Sequence, residues 1–337
     1  MMWNWLVSVL AGGTTAVLYD GHPMHPDPAT LLDVVDTEGL TLLGVSARYL
    51  SGLRKSGVRP GRTHALKSLR TICSTGSPLG GDEFDFVYHE IKSDVHLASI
   101  SGGTDLCACF VGGGPTRPVW RGEIQGPALG MDVDVVDEGG ASLRHWPGVQ
   151  GELVCNTPFP SMPLGFFGDD DGRRYGATYF ERFEGRWAHG DFAAWTEHGG
   201  MVISGRSDAT LNPGGVRIGT AELYRVVEHF PDVLESLAFG QSFAGDTRIV
   251  LLVRRASGAE LTDALAEDIK QRLRTECSPR HVPAVICAVT ELPRTRSGKL
   301  AELAVADAVA GRPIRNTDGL ENPEVLAAIA GLDALTR

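Results

Sequence analysis

Up to residue 118, short apolar runs alternate with stretches whose apolar residues recur every three or four positions. That alternation predicts a layered α/β domain built on a largely parallel sheet. Strands are expected at residues 15–19, 41–45, 69–74 and 95–100, each followed by a turn and a helix-like stretch. Asp27 and Pro28, just ahead of Leu31, Val34 and Val35, have the chemistry of an N-cap and a first helical residue. Phe84, Val87, Tyr88 and Ile91 share one helical face. The uncharged run 5–18 reads as the end of a buried helix, a Gly-Gly turn and a core strand. It is too short to span a bilayer and lacks the basic flank of a signal peptide.

From Val119 to about Ser204 the pattern shifts to alternating strands and glycine-rich turns, the mark of a β-rich subdomain. Beyond Gly205 and Arg206 it becomes α+β. A helix is expected over 220–230, with Leu223, Val226, Val227 and Phe230 on one face, then a hairpin turning at Gly245 and Asp246. A helix over 262–277, a strand over 284–290, a loop rich in Pro, Arg and Gly, and a further helix follow. The tail carries one more helix, with Asn322 as N-cap and Pro323 at its first position. The expected fold class is therefore α/β. Part of a layered large domain would occupy residues 1–118, a β-rich subdomain 119–205, a small mobile α+β lid domain 206–311 and a tail helix 312–337.

Composition narrows the function more than the fold. The 337 residues suffice for two or three domains, and a hydrophobic share of 42% with 22% charged excludes a disordered chain. A net charge of −11 argues against nucleic-acid partners and against a polybasic membrane anchor, while leaving room for a small anion held by a few placed cations. The six cysteines form no CxxC pair, so neither a zinc ribbon nor a disulfide framework is suggested, and a reducing cytoplasm fits. Cys107 and Cys109 alternate as they would in a strand. His22 and His25 have HxxH spacing, but the prolines between and after them make a loop with no third ligand near.

Five segments could carry chemistry. Ser101-Gly-Gly-Thr-Asp105 follows an expected strand, where ligands of parallel sheets bind. Its glycines let a phosphate approach the backbone, the Thr104 hydroxyl can donate to phosphate oxygen, and Asp105 can bind Mg2+ directly or through water. In isolation the same residues also make a plain Gly-Gly turn. Cys73-Ser-Thr-Gly-Ser-Pro78, again after a strand, can hold a flat ring against small residues or simply turn the chain. In His189-Gly-Asp-Phe-Ala-Ala-Trp195, Asp191 can accept two hydrogen bonds from a ribose diol, or sit at a hairpin tip. Ser204 to Tyr224 holds Arg206, Asp208, Asn212-Pro-Gly-Gly215 and Arg217, the residues of a hinge with backbone open to a passing ligand. Leu292 to Leu300 concentrates Arg294, Arg296 and Lys299 around a Ser-Gly, and a lysine ammonium suits the bridging of two anions. A solvated basic turn is the plainer reading of that last segment.

Taken in order, STGSP, SISGGTD, HGDFAAW, GRSDATLNPGGVRIGTAELY and PRTRSGK resemble the successive motifs of the acyl-adenylate-forming, AMP-binding superfamily of acyl-CoA synthetases, luciferases and adenylation domains. The segments around GGTTAVLYDG, PVWRGEIQGPALGMDVDVVDEGG and GELVCNTPFPSMPLGFFGDDDG are similar to the branch that takes acetoacetate as its acid. The resemblance implies a ligase in which a carboxylate attacks the α-phosphate of ATP and the CoA thiol then displaces AMP. It implies Gly76, Ser77 and Pro78 at the adenine, Thr104 at a phosphate, Asp191 and Arg206 at the ribose, and Arg217 on the nucleotide side. It further implies Asp105 at Mg2+, Lys299 as the catalytic ammonium, Asp208 as the hinge and Gly215 beside the CoA channel. Where similar acetyl-CoA synthetases carry tryptophans, Ser101 and Gly102 are small, which implies room for a longer acid. Other short-chain acids, or binding of AMP and CoA without catalysis, stand as alternatives.

Members of the superfamily also carry an upstream Ser/Thr/Gly-rich loop that cradles the β- and γ-phosphates, and no such loop occurs in this sequence. The expectation is a chain lacking the upstream half, inactive alone or dependent on a second polypeptide.

Overall fold

A computed structural model describes residues 2–213, 216–243, 245–255, 261–296, 298–314 and 317–336. The chain divides into two compact units, Met1–Ile203 and Ser204–Arg337.

In the first unit, β1 (Leu42–Ser46), β2 (Thr71–Thr75) and β3 (His96–Ser99) form a parallel sheet in that order, with Leu42 opposite Thr71 and Thr71 opposite His96. α1 (Met2–Ala11) and α2 (Thr30–Glu38) precede β1. α3 (Ala47–Lys55) and the short α4 (Pro60–Thr63) join β1 to β2, and α5 (Gly81–Phe86) leads toward β3. Ser46 ends β1 and caps α3 by accepting a hydrogen bond from the Tyr49 amide at 3.1 Å. Leu32, Val35, Leu50, Leu53, Ile72, Phe84, Val87 and Leu97 meet in one core, each fully or almost fully buried. Burial of one such side chain is worth about 1.5–3 kcal/mol, so this cluster fixes the sheet and its helices.

Four sequence expectations fail in this region, each for a local reason. Residues 15–19 form no strand. They are exposed and have no ladder partner among the described residues, and without a partner the alternating pattern cannot become a sheet. α1 exists but is not buried, for Val7 is 63% and Leu10 76% exposed. α2 begins at Thr30 rather than Pro28, because the Asp27 carboxylate accepts from the Ala29 amide at 2.8 Å and builds a turn first. The periodic stretch 84–91 is not one α-helix. It widens into a π-turn over Val87–Ile91, closed by Lys92 N–H to the Val87 carbonyl at 2.8 Å, which keeps both Val87 and Ile91 buried.

The remainder of this unit is β-rich. β4 (Val111–Gly112) pairs with β5 (Gly126–Pro127), and β6 (Val133–Val136), β7 (Gln150–Cys155), β8 (Trp187–Trp195) and β9 (Met201–Arg206) form a second sheet in that order. β6 with β7 and β7 with β8 are antiparallel. α6 (Arg173–Tyr179) adds Tyr179 to a core of Phe110, Phe159, Trp187, Trp195 and Met201. Cys107 does not lie in a strand. It occupies a turn with φ of 50°, in the left-handed region, and both Cys107 and Cys109 are half-buried.

The second unit opens with α7 (Thr220–Val227). β10 (Val233–Phe243) and β11 (Asp246–Arg255) form an antiparallel hairpin, and β12 (Val285–Val289) runs parallel to β11. α8 (Asp263–Glu276) is capped by Thr262, whose hydroxyl accepts from the Leu265 amide at 3.2 Å. One face of the sheet buries Leu223, Val226, Ile269 and Leu273; the other buries Leu237, Phe239, Leu292 and Val305. α9 (Glu302–Val309) and α10 (Glu324–Ala330) cover that second face. Asn322 does not cap α10 with its side chain, which is used elsewhere as described below.

Candidate functional site

Two glycine-rich loops leave the carboxyl ends of adjacent parallel strands. β2 ends at Thr75, and Gly76, Ser77 and Pro78 follow on the surface. Gly76 has φ of 95°, a conformation that side chains disfavour, and lies beside Ser46 at the end of β1. β3 ends at Ser99, and the Ile100 amide still donates to the Ser74 carbonyl at 2.8 Å, so the next loop starts in register with the first.

That second loop, 101–111, is pinned at its base. The Ser101 amide donates to the Val111 carbonyl at 3.0 Å and the Phe110 amide to the Ser101 carbonyl at 3.0 Å. Leu106 and Phe110 are fully buried and anchor the interior, which leaves Thr104 and Asp105 at the surface. The backbone is drawn tight at Gly102. A Cβ there would stand 2.2 Å from the Ala108 carbonyl oxygen and 2.5 Å from Cys109 Cα. Smallness at 102 thus has a packing cause of its own. At Gly103 a Cβ would come within 2.7 Å of His189 Cε1, so the loop lies directly on β8.

Around this contact the structure assembles residues that sequence reasoning missed. The Tyr179 hydroxyl donates to Asp105 Oδ2 at 2.6 Å, and its ring stacks on Trp187 with centroids 3.6 Å apart. Trp187 Nε1 points to His189 Nδ1 at 3.5 Å, at the long limit of a hydrogen bond, while Phe110 meets the His189 ring edge-on at 4.8 Å. His189 Nε2 lies 3.7 Å from Asp191 Oδ2, and both side chains are buried in β8. Asp105 and Asp191, far apart in sequence, are joined by one packed series of rings. The aromatic-rich run from Phe166 to Trp187 was the available signal, in a chain with only 7% aromatics. In β2, burial together with the nearby Cys109 pushes the Cys73 thiol up to about 11, which makes it an inert core residue.

In the second unit, Arg206 Nε and Nη2 donate to the two carboxylate oxygens of Asp208, each at 3.3 Å. Leu211 and Ile218 pair to close the following hairpin and are buried, leaving Arg217 exposed. Gly215 lies outside the described residues. Nearby, the Tyr224 hydroxyl donates to Glu302 Oε1 at 3.0 Å and accepts from the Ala238 amide at 3.0 Å. Burial raises the Glu302 carboxyl above the usual carboxylate range, and the Asp208 charge adds to the rise.

Lys299 is exposed, on a turn in which the Thr295 amide donates to the Lys299 carbonyl at 2.9 Å. Among the described residues no hydrogen bond or ion pair joins Lys299 to Arg206, Asp208 or Arg217. Arg294 is not a free member of the basic loop. It is paired with Glu235, which also receives Arg254 Nε at 2.9 Å.

Residues 1–164 match the AMP-binding enzyme family, and residues 225–299 match the C-terminal domain of AMP-binding enzymes. The chain belongs to the AMP-binding enzyme family. It is 58% identical over 335 residues to the acetoacetyl-coenzyme A synthetase of Rhizobium meliloti (strain 1021), covering 99% of this chain and 51% of that protein. The acetoacetyl-CoA synthetase of Mus musculus is 45% identical over 328 residues, covering 97% and 48% respectively. The solved acetoacetyl-CoA synthetase from Streptomyces lividans superposes with a TM-score of 0.89 at 41% identity, over 98% of this chain and 50% of that one. The chain thus spans about half the length of the curated relatives it matches. A benzoate CoA ligase from Burkholderia xenovorans LB400, at 21% identity and a TM-score of 0.72, shares the α/β fold.

Proposed function

We propose that this chain carries the nucleotide loops and the reactive lysine of an acetoacetyl-CoA synthetase, which joins acetoacetate to CoA while ATP is cleaved to AMP and diphosphate. The observation that carries the reading is 58% identity to such an enzyme across two loops that leave the same end of one parallel sheet. In this reading Gly76, Ser77 and Pro78 line the adenine, Thr104 binds a phosphate, and Asp191 and Arg206 hold the ribose. Asp208 is the hinge of a lid running from 206 to 311, Arg217 turns toward the nucleotide, and Gly215 borders the CoA channel. Ser101 and Gly102 border the acid. With Gly102 fixed by Ala108, Ser101 is the position free to tune acid length.

The chemistry asks two anions to meet. A carboxylate oxygen bonds to the α-phosphorus and diphosphate leaves; the CoA sulfur then bonds to the acyl carbon and AMP leaves. Lys299 offsets the charge where carboxylate and phosphate converge, the role in which a placed cation contributes most. Asp105 has one oxygen engaged by Tyr179, and its other would hold a Mg2+ ion. Such an ion would neutralise phosphate charge. Among the described residues no group of three His, Cys, Asp or Glu side chains is arranged to hold a metal alone.

The β- and γ-phosphate contacts are assigned to residues outside this chain, since it spans half the length of its relatives. A reducing cytoplasm is the proposed setting; among the described residues no helix is long and apolar enough to cross a membrane. The test is AMP formation with acetoacetate, acetate, butyrate and 3-hydroxybutyrate. It is run on the chain alone and on the chain co-expressed with the segment of the Rhizobium meliloti relative it does not cover. AMP is expected only in the second case and chiefly with acetoacetate. Preference for another acid overturns the substrate, and AMP binding without turnover in either case makes the chain a nucleotide-binding protein only.

A further inference from the structure

The loop that bears Lys299 is not held by its own turn alone. The chain 319–322, which runs into α10, lies alongside it as a short strap. The Arg296 amide donates to the Gly319 carbonyl at 2.9 Å, the Glu321 amide donates to the Arg294 carbonyl at 2.8 Å, and Thr295 pairs with Leu320. Asn322 closes the strap. Its Oδ1 accepts from the Arg294 amide at 2.8 Å, and its Nδ2 donates to Glu291 Oε1 at 2.7 Å and to the Leu292 carbonyl at 3.1 Å. The side chain is 6% exposed, so these bonds replace water and are costly to lose.

These bonds propagate to Lys299 in two steps. Asn322 fixes the Arg294 backbone, and Arg294 Nη1 donates to the Gly298 carbonyl at 2.6 Å, one residue before the lysine. Thr295, next to Arg294, bonds the Lys299 carbonyl through its amide and the Lys299 amide through its hydroxyl, at 2.9 and 3.2 Å. Leu320 and Leu292 are buried in the core below, which ties strap and loop to the same support. The lysine side chain is exposed, yet its backbone is held from two sides.

We infer that Asn322 is a positioning residue for Lys299, acting through the 291–296 backbone. The inference rests on the reading of Lys299 as the catalytic ammonium. Asn322→Ala removes all three side-chain bonds. Glu291→Gln keeps an oxygen acceptor for Nδ2 and leaves the bonds to Arg294 and Leu292 in place, so it serves as the conservative control.

Amide hydrogen exchange on the intact chain is the first measurement. Asn322→Ala is expected to speed exchange at Thr295, Gly298 and Lys299 by about tenfold or more while β10 and β11 amides keep their protection. The second is acetoacetate-dependent AMP formation in the co-expressed enzyme. Asn322→Ala is expected to lower kcat by about 10- to 100-fold with the KM for acetoacetate unchanged, and Glu291→Gln to leave both nearly as they are. Unchanged exchange in an enzyme that forms AMP overturns the inference, as does a loss of the same size in a Lys299→Ala background. If the unsubstituted enzyme forms no AMP, the reading of Lys299 fails and the positioning role with it, while exchange still reports whether the strap orders the loop.

Discussion

The loops at 101–111 and 292–301 both expose a charged side chain on a short turn, yet they are stabilised in opposite ways. The first is held by packing: Leu106 and Phe110 are sunk in the core, the Gly102 backbone is pressed against Ala108, and Gly103 rests on the His189 ring. The second is held by hydrogen bonds from a neighbouring strand-like strap and from the paired Arg294. Close packing tolerates almost no change of volume. A hydrogen-bonded strap can loosen without the core giving way, because its bonds open locally. The contrast suits the proposed roles, a rigid phosphate loop in one unit and a lysine that must be delivered in the other.

The sharpest way to break this comparison is at Lys299, where rate and stability should separate. Lys299→Ala is expected to cut acetoacetate-dependent AMP formation by about 10²- to 10³-fold. Thermal unfolding should move by no more than about 0.5 kcal/mol, the range for exposed substitutions. A large loss of stability would mean that the side chain supports the loop after all. Gly102→Ala should show the reverse pattern. The added methyl would meet backbone atoms at 2.2 and 2.5 Å, which cannot swing aside, so the first unit should lose about 1–3 kcal/mol by denaturant titration. No change there would show that the 101–111 loop is softer than its contacts imply.

What the sequence made legible follows the same division. Periodicity found the strands at 42–46, 71–75 and 96–99 and the helices at 220–227 and 263–276, because each buries one face in a core that local pattern reports directly. It failed for residues 15–19, where an apolar run has no neighbour to pair with, and at Asn322, where an N-cap signature hides a bond to a loop 28 residues earlier. The glycine loops were visible as composition, but the contacts of Asp105 with Tyr179 and of Gly103 with His189 span 74 and about 86 residues of chain. Local pattern carries no information about pairs that far apart. Residues in the Ser204 to Tyr224 stretch were legible only as a hinge-like composition, and the bond of Arg206 to Asp208 adds local geometry to it.

A smaller effect sharpens the packed side of the comparison. Tyr179→Phe keeps the stack on Trp187 and removes only the hydroxyl that reaches Asp105. Because the bond joins a hydroxyl to a carboxylate at a half-open site, the expected cost is about 1 kcal/mol in unfolding free energy. A double-substitution cycle with Asp105→Ala, read from urea midpoints, checks that the bond is the cause. A variant that unfolds much more readily would point to the ring stack rather than the hydroxyl.

The mildest prediction concerns pH and the buried carboxyl of the second unit. Burial, helped by the Asp208 charge, raises Glu302 above the ordinary carboxylate value it regains on unfolding. Between those two values the native state holds more protons than the unfolded state, so stability falls as pH rises through that window and is level below and above it. Glu302→Gln offers the Tyr224 hydroxyl the same acceptor without the titration. The substituted chain should therefore match the original below the usual carboxylate range and exceed it near neutral pH, as read from urea midpoints at each pH. Parallel curves for the two chains across that window would mean that Glu302 ionises freely and that the core around Tyr224 is wetter than its packing indicates.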